Sequence, residues 1–406
     1  MKQWMAAADA ARVLGVSRAT LYAYVSRGYV RSQPTPGPSR DRRYSREDVE
    51  RLRRRTEERR EPDKAAARAL QWGMPILESS IALIDGQRLY YRGHDAVELS
   101  RSRSVAEVAS LVWTGRFDTT FAADSEGQTS SRPLFGSDLP FLACAQSALA
   151  AASSRDPSAF DLRHAGVART GWRILQTLTR AAVRSRPTAQ TIEHTLARAW
   201  GVRAHGLELL RSALILCADH ELNVSSFTAR CVASAGSNPY AVVIAGLAAL
   251  GGTRHGGASA RVESTLQSIR RTRNVRTAVG ERLERGESID GFGHPLYREG
   301  DPRATALFEM LRERYAASAE LAFVSDVARV ATAALREEPN IDFALAAVSR
   351  VLKLPPGSTL SIFAIGRTIG WIGHAIEQYA TGLLIRPRAK YVGVPVVADA
   401  GPAASQ

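Results

Sequence analysis

The sequence predicts a mainly α-helical protein in two parts, a small basic helical module followed by a large helical body. Three observations carry this reading. Long Ala/Leu/Arg-rich segments with apolar residues at i, i+3 and i+4 fill most of residues 104–382. Near the start, two short helix-forming runs are separated by a glycine turn. The charge is also uneven: residues 1–64 hold 16 Lys+Arg against 9 Asp+Glu, and the other 342 residues hold 38 against 31. Half of the net +14 therefore sits in less than a sixth of the chain, which argues for two units with different partners.

The 406 residues are 45% hydrophobic and 23% charged, enough apolar material for two or three domains. No run reaches about 18 uncharged apolar residues, so no transmembrane helix is expected. Asp9 and Arg12 interrupt the start where a secretory signal needs an apolar core. Cys144, Cys217 and Cys231 form no C-x-x-C pair, which excludes a disulfide framework and suits a reducing cytoplasm. Only Lys2, Lys64, Lys353 and Lys390 are lysine among 54 basic residues. We read that bias as the genome composition of a GC-rich bacterium.

In the small module, residues 5–14 (MAAADAARVL) have the apolar spacing of a short helix that Gly15 stops. Ser17 offers an N-cap to a second helix over 17–27, ended by Gly28. Pro34 to Ser39 cannot be helical, and Ser45 with Asp48 has the spacing of a capping box opening a third helix. This layout resembles the winged helix-turn-helix of MerR-type regulators and phage excisionases. The resemblance makes 17–27 the recognition helix and 40–44 the wing tip, with Arg18, Tyr22, Tyr24 and Arg27 facing bases or phosphates. Arg40, Arg42 and Arg43 would meet the DNA backbone. The alternative is a basic docking or dimerisation unit. Residues 1–60 form this module, and 61–71 form a charged linker.

In the large body, residues 81–93 read as a hairpin around Asp85-Gly86. Helical patterns follow at 104–115, 139–152, 162–184, 189–217, 225–235, 239–250, 260–285, 303–335, 341–353 and 358–382. A polar loop, Asp118 to Pro133, separates two of them. The signatures G-x-G-x-x-G, G-x-x-x-x-G-K-[ST], H-E-x-x-H and G-x-S-x-G are absent, so the chemistries they mark lose their usual support. Three histidines stand in polar or glycine-flanked settings: His220 in DHELN, His255 in GGTRHGG and His294 in GFGHP. Each alone is an ordinary turn histidine. Together, with PNIDF at 339–343, they suggest a site. His94, His164, His194, His205 and His374 read as surface or packing residues.

DHELN, GxxHGG, GFGHPLYRxxDPR, PNIDF and the terminal IRPRAKYVG, in this order and spacing, resemble the citrate synthase family across residues 72–395. Tyr91-Arg92-Gly93 matches the usual start. The resemblance implies a citrate-synthase-like, nearly all-helical fold with two domains. Residues 72–254 and 351–395 would form the large domain, 255–350 an inserted small domain and 396–406 a tail. It further implies condensation of acetyl-CoA with oxaloacetate and water to citrate and CoA, with no metal or cofactor. Asp342 would be the base that takes the α-proton, His255 the donor to the thioester oxygen and His294 the acid at the keto oxygen. His220, Arg303, Arg367 and Arg386 would hold oxaloacetate, with Arg386 reaching in from the second subunit of a homodimer. Phe292, Gly293, Pro295, Leu296, Tyr297 and Arg298 would wrap CoA. Two departures concern rate and acyl preference: Thr253-Arg254 where the family commonly has Pro-Leu, and Ser259 where it often has Asn. One methylene is worth about 1–3 kcal/mol in an apolar pocket, which leaves propionyl-CoA, and so 2-methylcitrate synthase, as an alternative. A transcriptional regulator with a citrate-synthase-like sensor domain is the rival from another class.

Overall fold

The computed structural model describes residues 4–35, 41–60, 77–123, 139–184, 191–272 and 274–394, with the backbone alone at 54–60 and 204. Arg40, the linker at 61–71, residues 124–133 of the polar loop and the tail at 396–406 lie outside the described residues. The chain divides into two compact units, Met1–Glu78 and Ser79–Gln406.

The first unit runs β1 (Trp4–Ala6), α1 (Ala7–Leu14), α2 (Arg18–Ser26), β2 (Ser32–Pro34), β3 (Arg42–Ser45) and α3 (Arg46–Arg60). Gly15 adopts φ 63° and ends α1, as only a residue tolerant of the left-handed region does cheaply. Ser17 caps α2 by accepting the Thr20 N–H at 3.2 Å. The sheet order is β1-β3-β2, both pairs antiparallel, so the wing is the β2–β3 hairpin. Two expectations are corrected. The helix expected from residue 5 begins at Ala7, because Met5 pairs with Tyr44 and both side chains enter the core with Ala10, Leu21, Val30 and Val49. The capping box is only half made. Ser45 Oγ accepts the Asp48 N–H at 3.3 Å, but the Asp48 carboxylate turns to Arg31, accepting its N–H at 3.0 Å and its Nε–H at 2.7 Å. That guanidinium holds the Asp48 carboxyl at about 2.

The second unit opens with β4 (Ala82–Asp85), β5 (Arg88–Tyr91) and β6 (His94–Asp95) in one antiparallel sheet. Asp85 pairs with Arg88, so Gly86 and Gln87 are the turn, one residue later than Asp-Gly suggests. Helices follow: α4 (Ala96–Ser102), α5 (Val105–Thr114), α6 (Thr120–Ala123), α7 (Phe141–Ser153) and α8 (His164–Val183). The expected 189–217 helix is two, α9 (Ile192–Ala199) and α10 (Ala204–Leu216), broken at Gly201 with φ 68°. Then come α11 (Val224–Ser234) and α12 (Pro239–Leu250). The 260–285 and 303–335 patterns also split, into α13 (Gly257–Arg270) and α14 (Val275–Glu284), and α15 (Pro302–Tyr315) and α16 (Ala319–Leu335). Asn274 and Ser318 are the N-caps that restart them. Last are α17 (Ile341–Leu352) and α18 (Ser358–Thr381). Among the described residues no helix is long and apolar enough to cross a membrane.

α18 is the axis of this unit. It packs against α5, α8, α10, α11 and α12, with Ile365, Ile369, Trp371 and Ile372 fully buried. A helix buried on nearly every face reads as apolar all round, and this one does. Its approach to the end of α10 is close enough to need glycine. A Cβ at Gly366 would lie 2.4 Å from the Leu214 carbonyl oxygen, and the Gly370 N–H donates to Ala218 O at 2.9 Å. The prediction is direct. Gly366→Ala should cost about 1–3 kcal/mol of stability, as overpacking against backbone does. Denaturant unfolding of the purified variant reads it, and an unchanged midpoint would mean that the two helices separate freely.

Candidate active site

Asp301 organises the site from below. As N-cap of α15 it accepts the Arg303 N–H at 3.0 Å, and the same carboxylate takes Arg303 Nε–H at 2.9 Å and Nη2–H at 2.7 Å. Its Oδ2 also accepts the Ile341 N–H, at 3.0 Å, from the first turn of α17. One buried carboxylate thus ties two helix N-termini together. Burial opposes its charge, but the Arg303 guanidinium holds the carboxyl below its usual range. Arg303 is 2% exposed, and Asp301 keeps its pKa high against that burial.

Asp342 follows Ile341 directly, in the first turn of α17 under the Asn340 cap. Asn340 Oδ1 accepts the Asp342 N–H at 3.0 Å. The carboxylate is partly accessible, and its Oδ1 receives the Ser259 hydroxyl at 2.5 Å. Burial raises its pKa, while Ser259 and the Arg303 and Arg367 charges pull the other way. Ser259 lies on the first turn of α13, four residues after His255.

The three histidines are neutral at pH 7. Burial and the Arg367 charge lower His255 to about 4, burial and Arg303 lower His294 to about 4, and burial with Arg303 and Arg367 takes His220 well below 6.5. His255 Nε2 meets Ser225 Oγ at 2.8 Å. His294 Nδ1 accepts the Leu296 N–H at 3.2 Å, which leaves the ring proton on Nε2. His220 Nε2 meets the Tyr297 hydroxyl at 3.0 Å, and the His220 and His294 rings stand edge to face at 4.9 Å.

Arg367, on α18, is 2% exposed and donates Nε–H to Cys217 O at 2.8 Å, over the Phe363 ring at 4.9 Å. Burial lowers its pKa, and among the described residues it makes no ion pair. Arg386 is elsewhere. It is exposed, beyond the end of α18, and does not join the other residues within this chain.

The 291–298 loop is stitched to the segment before α17. The Gly293 N–H donates to Glu338 O at 2.8 Å, Asn340 N–H to Gly291 O at 2.8 Å and Asn340 Nδ2–H to Gly293 O at 3.1 Å. Gly291 has φ 95°, with the Phe343 Cβ 2.8 Å from where its own Cβ would be. Phe292 packs on Phe343 at 4.9 Å. Pro295 and Arg298 are exposed and Leu296 half-buried, whereas Tyr297 is buried beside His220 and Arg303.

In the first unit Arg18, Tyr22, Arg27 and Arg43 are exposed. Arg42 is exposed too, but its guanidinium bonds Ser32 across the wing, with Nε–H to Oγ at 3.0 Å. Tyr24 is half-buried against that unit's core and lies 6.3 Å from the Tyr29 ring.

The sequence assigned no site role to several residues that the structure brings in. Ser225, between His255 and the Trp371 indole, looks like any helical serine. Tyr91, fully buried, places its hydroxyl 3.0 Å from Ile215 O and 3.2 Å from Asp219 O. His374, read as a packing residue, has Nε2 3.2 Å from Asp219 Oδ1 with both side chains fully buried. His164, His194 and His94 have local partners, namely Trp113 O, Thr191 Oγ1 and the Phe117 ring, and His205 is exposed. Only the acidic residue beside each motif hinted at more: Asp219 in DHELN and Asp301 in DPR.

Residues 69–388 match the citrate synthase C-terminal domain family, and residues 4–56 match a helix-turn-helix domain. Citrate synthase 2 of Bacillus subtilis is 40% identical over 190 residues, 46% of this chain and 51% of that protein. The match thus spans about half the length of such relatives. A 2-methylcitrate synthase of Shewanella oneidensis is 31% identical over 352 residues, 77% of this chain and 90% of the relative. The crystal structure of citrate synthase from Thermotoga maritima superposes with a TM-score of 0.68 at 27% identity, covering 80% of this chain and 95% of that one.

The depressed histidines make a stability prediction. A ring at about 4 when folded and near 6.5 when unfolded takes its proton first in the unfolded chain. Stability should therefore fall as pH drops from 6.5 toward 4. A urea titration across this range should show a shallower fall in His255→Asn and His294→Asn than in the parent. Equal slopes would show that the native rings are already charged.

Proposed function

The chain belongs to the citrate synthase family, and from that premise we propose that it condenses an acyl-CoA with oxaloacetate and water, releasing CoA. The observation that carries this reading is the pair of buried guanidiniums, Arg303 and Arg367, around which an acid–base set gathers. Asp301 answers Arg303, and a dicarboxylate would supply the charge that Arg367 lacks among the described residues.

Asp342 removes the α-proton of the acyl thioester through the oxygen that Ser259 leaves open. His255 donates to the thioester oxygen, so that an enol forms in place of a free enolate. This needs the ring neutral with its proton on Nδ1. The low pKa secures the first condition. The second requires the Ser225 hydroxyl, which accepts from the Trp371 indole at 3.2 Å and donates to Asn223 Oδ1 at 2.8 Å, to turn its proton to His255 Nε2, 2.8 Å away. The enol carbon attacks the keto carbon of oxaloacetate, and His294 Nε2–H protonates the keto oxygen. Water then hydrolyses the thioester. His220, Arg303 and Arg367 hold the oxaloacetate, and the 292–298 loop takes the CoA. Residues 255–350 act as the small domain that closes over both substrates. Arg386 completes the site of a partner subunit in a homodimer. We place the reaction in the cytoplasm and assign it no metal.

Thiol release with oxaloacetate and either acetyl-CoA or propionyl-CoA tests the reading and separates citrate from 2-methylcitrate synthesis. Asp342→Asn should lower turnover about 100- to 10,000-fold, the range of general-base effects, with oxaloacetate binding retained. Oxaloacetate binding without thiol release by the parent protein would instead make the domain a metabolite sensor.

The helix-turn-helix match and the exposed Arg18, Tyr22, Arg27 and Arg43 favour a second property, DNA binding by residues 4–56. A two-fold dimer would then select a palindromic site with half-sites one helical turn or a multiple apart. Genome-fragment selection with the full chain and with residues 1–64 deleted should enrich sites only for the former. Arg43→Ala should weaken all sequences and flatten the salt slope, whereas Tyr22→Ala should blur preference. Identical pools from both proteins would make the unit a docking element.

A further inference from the structure

Resting on the proposed reaction, we propose that Ser259 is the positioning residue of the base: its hydroxyl fixes Asp342 Oδ1 and presents the other oxygen to the acyl-CoA α-proton. Ser259 is fully buried at the start of α13, and its hydroxyl proton goes to Oδ1 at 2.5 Å. Among the described residues Oδ2 has no hydrogen-bond donor, and the residue keeps some accessibility. A carboxylate on a freely turning Cβ–Cγ bond would offer either oxygen. One short bond from a rigid helix turn removes that choice.

The same turn also aims the second catalytic group. The Ala258 N–H donates to His255 O at 3.0 Å, so His255 and Ser259 share one turn of backbone. Base and enol donor are thereby set at a fixed distance by α13, although Asp342 itself belongs to α17. A carbon acid needs both at once, since the proton leaves as charge reaches the thioester oxygen.

Ser259 also sets when the base is ionised. The groups around Asp342 are Asp301 and Arg303 from the start of α15, Arg367 from α18 and the Cys217 thiol after α10. Burial pushes that thiol up to about 12, so it stays neutral. Burial and Asp301 raise Asp342, while Ser259, Arg303 and Arg367 lower it. Removing the hydroxyl deletes one of the interactions that favour the charged form, so the carboxyl must move up. The base works only when deprotonated, and the acid limb of activity must move the same way.

The test uses the full chain with Ser259→Ala and Ser259→Thr, the latter keeping a hydroxyl. In Ser259→Ala, kcat with acetyl-CoA or propionyl-CoA should fall about 10- to 100-fold, with KM for oxaloacetate unchanged. The acid limb of kcat/KM should rise by about one pH unit, and Ser259→Thr should recover most of both losses. NMR titration of the Asp342 carboxyl in 13C-labelled protein reads the same shift without turnover. Should the parent release no thiol, the reaction reading fails, yet an upward shift in the alanine variant would keep Ser259 on the base. An active parent whose alanine variant keeps its kcat, acid limb and carboxyl titration overturns the proposal. So does a loss confined to KM.

Discussion

The site depends on one carboxylate. Asp301 bonds the backbone and guanidinium of Arg303 and the Ile341 N–H, so it sets the start of α15 and the start of α17 together. From the first start comes the Arg303 guanidinium, and from the second comes Asp342. Removing one partner of a buried pair costs about 3–5 kcal/mol because an uncompensated charge remains. Here the loss would also let the starts of two helices, with Arg303 and Asp342, drift apart. The charge is retained at this depth because it is geometry as well as electrostatics.

Charge is distributed so that each group is held in the protonation state its task needs. Burial, with the arginines, lowers the histidines, and the arginines favour the charged form of Asp342 against its desolvation. A protonated His255 would place a third positive charge beside Arg303 and Arg367 in a buried site. The helix termini assist, since Asp342 and Asp301 both sit where backbone N–H groups converge.

Much of this was legible in the chain. The motifs around His220, His255, His294, Arg303 and Asp342 are local, and each lands in the same cluster. Helix interiors were legible from apolar spacing, but their breaks were not, because Gly201, Asn274 and Ser318 are weak punctuation inside strongly periodic runs. The start of the chain misled because Ala-rich sequence reads as helix, while Met5 answers to Tyr44, a partner 39 residues away. Ser225 and Ser259 were missed as partners for the same reason. Their bonds reach His255 and Asp342 across 30 and 83 positions, and nothing local marks them.

The two buried guanidiniums carry a further thermodynamic meaning. Positive charge gathered away from water opposes folding, and among the described residues only Asp301 answers it with a direct ion pair. A dianion binding there returns free energy to the native state as well as entering the reaction. At a hundredfold excess over its dissociation constant, such a ligand adds about 2.7 kcal/mol of stability. Resistance to proteolysis, and with it the lifetime of the protein in a cell, would then follow the abundance of the dicarboxylate. Under the proposed reaction, supply of the metabolite would become a control on how much of the protein persists.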